Sequence, residues 1–213
     1  MTTLVLIRHG ESQANRRSIF AGQIDPDLEE RGVQQAELTA KFVSENFKID
    51  KIYSSDLKRA FRTGESLAEL TGLEIIPKKE LREIDGGLWE GESFDKLNEI
   101  SPKEYQLWCD NIGEFQGVQG ESMEALKCRI MDALTGIATE NHGKTIAITT
   151  HATPIRVAVT HILHRSLSKM KDIPWATNAS VTVLNFENGE WSVVKYSEDS
   201  HMDKLRTTLP DNI

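Results

Sequence analysis

The chain has 213 residues, of which 38% are hydrophobic and 27% charged, with a formal net charge of −8; this describes a globular chain of one domain and argues against general binding to nucleic acid or an anionic membrane. A small anionic substrate stays compatible, because a local cluster of Arg can reverse the field in one pocket. The two cysteines, Cys109 and Cys128, form no CxxC pair, which argues against a disulfide framework or a cysteine zinc site and fits a reducing cytoplasm.

The first segment, "TLVLIRHGES", starts as a buried strand at Leu4–Ile7 and then turns to Arg8, His9 and Gly10. Its "MTT" start carries no basic leader, and no apolar run is long enough to span a bilayer. Val33, Ala36, Ala40, Val43 and Phe47 then recur at helical spacing. "KIYSS" at 51–55 reads as a short strand. The helix that follows, residues 55–70, is predicted to be capped by Ser55 or Asp56 and to bury Leu57, Ala60, Phe61, Gly64, Leu67 and Ala68. "LEIIPK" at 73–78 is a further strand. Residues 92–119 read as two short helices and a loop, a small cap on one domain that spans 1–213. Met123, Leu126, Ile130, Leu134 and Ile137 mark a long helix.

"KTIAITT" at 144–150 is the second core strand, followed by His151 and by a helix starting near Pro154. "SVTVLNF" and "EWSVVKY" flank Glu187, Asn188 and Gly189, a hairpin signal. The tail beyond Ser197 is polar and is expected to be loosely held. Strands alternating with helices predict an α/β fold, a three-layer α/β/α sandwich with a mostly parallel central sheet.

Parallel neighbours place their carboxyl ends on one sheet edge, where such folds bind ligands. Adjacent first and second core strands would therefore bring His9 and His151 together. The helix after "KIYSS" would deliver Arg59 to the same edge. Arg62 shares its face and is a substrate-binding candidate, with a supporting structural role as the alternative. Arg8 and Arg59 offer planar forks that match phosphate oxygens, and Gly10 admits close backbone approach. A neutral His is a competent nucleophile toward phosphorus. The missing acid should come from "LREIDGGLWEG" at 81–91, where spacing alone leaves Glu83, Asp85 and Glu90 open. Arg16 and Arg17 read as a solvated pair. His161 and His164 lack a third metal ligand, and "NAS" at 178–180 matches a glycosylation acceptor by letters only. Trp89 and Trp108 read as packing residues or as part of the substrate mouth.

"LIRHGES" with Asn15, "SSDLKRAFRT", "LREIDGGLWEG", "GES" at 120–122 and "THATPIR" stand in an order that resembles the histidine phosphatase superfamily, in its phosphoglycerate-mutase-like branch. The resemblance implies a phosphoglycerate-mutase-like fold, a phosphohistidine at His9, and Arg8, Arg59 and His151 in the phosphate pocket. It further implies Asn15 as a phosphoryl contact, Glu83 as the acid, and no metal or cofactor. The family often has Phe in place of Gly86, Ala in place of Gly64 and a Gly pair in place of Ala152 and Thr153. Ala152 still offers its backbone N–H to phosphate, while Gly86 is expected to leave extra room beside the substrate. The short stretch from Gly91 to Gly120 favours hydrolysis of small phosphate monoesters over mutase-type transfer, which in this branch usually comes with a longer shielding insertion. A catalytically silent phosphate-binding module is the third reading. The partners implied are a phosphate ester and inorganic phosphate; a homodimer is compatible.

Overall fold

A computed structural model describes residues 1–208. Its strands are β1 (Thr2–Arg8), β2 (Lys51–Ser54), β3 (Ile75–Pro77), β4 (Thr145–Thr150), β5 (Val181–Glu187) and β6 (Glu190–Glu198). They form one sheet in the order β3-β2-β4-β1-β5-β6. β3, β2, β4 and β1 are mutually parallel, β5 runs antiparallel to β1, and β6 returns antiparallel to β5. The helices are α1 (Gln13–Arg16), α2 (Glu30–Asn46), α3 (Lys58–Thr71), α4 (Phe94–Ile100), α5 (Pro102–Asp110), α6 (Met123–Glu140) and α7 (Ala152–His164).

Alternation along the strands divides the core. Leu4, Leu6, Ile146 and Ile148 face a cluster with Leu126, Ile130, Ile155 and Val159 of α6 and α7. Val5, Ile7 and Ala147 face Ala40, Val43 and Leu67 of α2 and α3. Two helices on each face, sealed by fully buried aliphatic side chains, produce the expected three layers. None of the described helices is long and apolar enough to cross a membrane.

Two local expectations are corrected, and the start of the last helix is fixed. The cap of α3 is Leu57, with no side-chain hydrogen bond, rather than Ser55 or Asp56. Both candidates are committed elsewhere: Ser55 Oγ lies 2.8 Å from His151 Nε2, and both Asp56 oxygens accept from Arg82 at 2.6 Å. Phe61 and Ala68 are only half-buried. Helix α7 begins at Ala152, with Pro154 in its first turn, where its lack of an N–H costs nothing.

The tail is also held more firmly than its polarity suggests. A 3₁₀ segment, Ser200–Leu205, lies against α2. The His201 ring stacks on Phe42 at 4.5 Å with its Nε2 3.0 Å from Thr39 Oγ1, and Met202 is buried. Arg31 and Gln35 donate to the Leu205 carbonyl at 3.2 and 2.7 Å. Residues 209–213 lie outside the described residues.

Candidate active site

β1 and β4 are direct neighbours, with Arg8 in register with Thr150. His9 therefore follows one strand end and His151 the next, and their rings meet at 5.2 Å, edge to face. Beside them is a cavity of about 140 Å³. Arg8, His9, Asn15, Arg59, Glu83, Ala152 and Thr153 border it. His151 is fully buried against His9.

The hydrogen bonds of His9 define its tautomer. Nδ1 lies 2.7 Å from the Gly10 carbonyl, which can only accept, so Nδ1 carries the proton and Nε2 the lone pair. Burial lowers the His9 pKa well below 6.5, and the nearby Arg59 and Arg8 charges lower it further. His9 is thus a neutral imidazole with a free Nε2. His151 is likewise held neutral by burial and by Arg59. Its Nε2 faces Ser55 Oγ, and its buried Nδ1 has no partner among the described residues.

The two arginines are anchored by backbone carbonyls. Arg8 donates to the Ala176 carbonyl, and Arg59 donates to Ile24 and Gly22 carbonyls at 2.8 and 2.7 Å. Burial pulls each guanidinium down to about 10, which leaves both charged at neutral pH. In each, Nε is buried with no partner among the described residues. Two buried, incompletely satisfied cations bordering one cavity suit a dianion.

The three acids of the 81–91 loop are separated by their surroundings. Asp85 accepts from the Gly87 N–H at 2.9 Å, and Glu90 accepts from Gln23 and Gly86 N–H groups at 2.7 and 3.1 Å. Of the three, only Glu83 borders the cavity. Its Oε1 accepts from the Ile84 N–H at 2.9 Å and its Oε2 from Thr153 N–H at 3.4 Å. Burial raises its pKa above 4.5, outweighing those hydrogen bonds and the Arg59 charge.

Arg62 is not brought to the cavity. It is 46% exposed and pairs with Asp27 at 2.9 Å. Nor does Gly86 leave room: a Cβ there would lie 2.3 Å from the Phe20 ring, which fills the space and itself lines the cavity. Trp108 also lines it, stacked on Trp175 at 5.7 Å, whereas Trp89 is fully buried behind Phe20 and donates to Ser101 Oγ.

Asn178 is a site residue that sequence reasoning missed. It is 1% exposed, borders the cavity, and donates at 3.2 Å both to the His9 carbonyl and to Asn15 Oδ1. Its local letters suggested only glycosylation; the signal available was its place at the mouth of a core strand. Thr207 and Thr208, from the tail, also reach the cavity. Among the described residues no three His, Cys, Asp or Glu side chains are grouped to hold a metal.

Removing the Arg59 side chain deletes a buried donor while a dianion still has to be bound. Charged hydrogen bonds contribute about 1.5–3 kcal/mol. Arg59→Ala is therefore expected to lower kcat/KM on a phosphate monoester by roughly tenfold to a hundredfold. A near-wild-type value in steady-state kinetics would remove Arg59 from the phosphate pocket.

A family model described as histidine phosphatase superfamily (branch 1) matches residues 4–199. Phosphoserine phosphatase 1 of Hydrogenobacter thermophilus is 33% identical over 210 residues, covering 96% of each chain. A metal-independent phosphoserine phosphatase of Arabidopsis thaliana is 32% identical, over 96% of this chain and 85% of that one. The solved structure of Bacillus stearothermophilus YhfR superposes with a TM-score of 0.90 at 27% identity, over 95% of this chain and all (100%) of that one.

Proposed function

The chain belongs to the histidine phosphatase superfamily, branch 1, and from that premise we propose that it hydrolyses small phosphate monoesters through a phosphohistidine on His9, without a metal. The observation that carries this reading is the convergence on one cavity of a neutral His9, two buried arginines and Glu83, a carboxyl with raised pKa.

In the first step the Nε2 lone pair of His9 attacks phosphorus. The P–O ester bond breaks, and the leaving oxygen takes the Glu83 proton to depart as an alcohol. Arg8 and Arg59, with the Ala152 N–H at the start of α7, hold the non-bridging oxygens. Water then attacks phosphorus and gives a proton to Glu83. The P–N bond breaks with its electron pair returning to Nε2, and phosphate leaves. Net consumption is one ester and one water.

Hydrolysis rather than transfer is supported by the cap. Residues 92–119 contribute α4, α5 and a single 3₁₀ turn, Ile112–Glu114, a short cover of the kind that favours attack by water. Phosphoserine is the first ester to try, because two relatives are named for it. A cytoplasmic setting fits two free, exposed cysteines. Sedimentation would distinguish a monomer from a homodimer.

The test is a panel of phosphoserine, phosphoglycerates and sugar phosphates, each with and without EDTA and with an acceptor acid. Phosphate release unchanged by chelator is expected, because the arginines supply the positive field a metal would otherwise provide. Loss with EDTA and recovery with a divalent ion would overturn the metal-free mechanism. Phosphoryl transfer to the acceptor in preference to water would establish a mutase. Phosphate binding without turnover would establish a silent module.

A further inference from the structure

The "GES" triplet at 120–122 has no part in the mechanism so far, yet its Glu121 leads back to the acid loop. We propose that Arg129, held by Glu121, is a positioning residue that fixes Glu83 for proton transfer. This rests on the reading of Glu83 as proton donor.

A guanidinium has five N–H donors in a rigid plane, and Arg129 of α6 uses all of them. Nε and Nη2 grip the Glu121 carboxylate at 2.9 and 2.7 Å. Nη1 donates to the Glu80 and Arg82 carbonyls at 2.8 and 3.0 Å, and Nη2 to the Glu83 carbonyl at 3.2 Å. Three backbone carbonyls within residues 80–83 thus converge on one cation. Glu121 closes the frame from the other side: its backbone N–H donates to the Asp85 carbonyl at 2.8 Å, and its Oε2 accepts from Asp85 N–H at 3.4 Å. The loop is tied both before and after Glu83. The pair is largely covered, Arg129 at 22% and Glu121 at 14% exposure.

Among the described residues the Glu83 carboxylate is held by the neighbouring Ile84 N–H and, more loosely at 3.4 Å, by Thr153. Its place in the cavity therefore follows its own backbone, which Arg129 sets. Arg129 does not border the catalytic cavity; its charge also lowers the His151 pKa, which a lysine would keep, whereas its hydrogen bonds bear on the reaction through the Glu83 backbone. Lysine keeps the charge but cannot reproduce the planar fork.

The test compares kcat/KM on phosphoserine, whose alkoxide needs a proton, with p-nitrophenyl phosphate, whose leaving group needs little. Wild type, Arg129→Lys, Glu83→Gln and the double variant are measured. Arg129→Lys is expected to lose roughly tenfold to a hundredfold on the alkyl ester, the scale of a misplaced catalytic group, and to stay within about threefold on the aryl ester. In the Glu83→Gln background the Arg129→Lys change should add nothing on the alkyl ester, because its effect passes through the missing acid. Equal losses on both esters, or additive losses in the double variant, would overturn the proposal. Glu121→Gln, which keeps the volume and one acceptor, should show the same selective loss at smaller size; it carries the test if Arg129→Lys does not fold. A Glu83→Gln variant that lost both esters equally would remove the premise, and the brace with it. A selective Glu83→Gln beside a non-selective Arg129→Lys overturns the brace alone.

Discussion

His9→Ala is expected to abolish both turnover and covalent incorporation of phosphate. In wild type, burial and two neighbouring arginines keep the imidazole neutral, and the Gly10 carbonyl fixes the proton on Nδ1. In the proposed mechanism the Nε2 lone pair attacks phosphorus, and alanine has no substitute for it. By analogy with other enzymes stripped of their nucleophile, the loss in kcat should be on the order of 10⁴-fold or more. The fold should survive. The His9 N–H bonds Thr150, and its carbonyl accepts from Ala179 and Asn178, all through backbone that the substitution retains. Incubation with a ³²P-labelled ester, followed by quenching, should give acid-labile, base-stable label on wild type and none on His9→Ala. Label or full activity in the variant would move the nucleophile elsewhere, with His151 the next imidazole to test.

Much of this site was legible because its chemistry sits at strand ends. Leu4–Ile7 and Ile146–Ile148 are apolar runs followed within three residues by a histidine, and parallel pairing of such strands leaves their ends side by side. What the sequence could not show were contacts across the chain. Arg59 and Arg62 are indistinguishable by helical spacing, yet Asp27 draws Arg62 to the surface while Gly22 and Ile24 carbonyls hold Arg59 inside. The space beside Gly86 looked open because nothing local announces that Phe20 fills it from more than sixty residues away. The tail looked loose because its anchors, Phe42, Thr39, Arg31 and Gln35, all lie on α2.

The same distinction explains the acids. Three carboxyl groups within eight residues share similar composition and cannot be ranked by spacing. Their surroundings diverge because Asp85 and Glu90 accept from backbone N–H groups of turns, whereas Glu83 borders the same cavity as His9. Asn178 was missed for a related reason: a buried amide that orients His9 and Asn15 has no signature apart from the partners it finds in three dimensions.

Glu83→Gln is expected to slow alkyl phosphates severely while sparing phosphorylation by p-nitrophenyl phosphate. An alkoxide cannot leave phosphorus readily without a proton, and positioned acids of this kind typically contribute about 10²–10⁴-fold. Nitrophenolate is stable enough to leave unaided, so its burst should persist. The phosphoenzyme should then accumulate, because the carboxylate that accepts a proton from attacking water is gone. The pH dependence follows from the directions of the shifts. Glu83, raised by burial, must be protonated for the first step, so the rate on an alkyl ester should fall as pH rises through its elevated pKa. His9, lowered well below 6.5 by burial and the two arginines, keeps its lone pair at neutral pH. In Glu83→Gln the falling limb at higher pH should disappear from the kcat/KM profile. Rapid-quench measurements of alcohol release and bound phosphate on both ester classes decide the matter. Equal slowing of alkyl and aryl esters with no accumulated phosphohistidine would exclude Glu83, and the proton would then have to come from Glu11, which also borders the cavity.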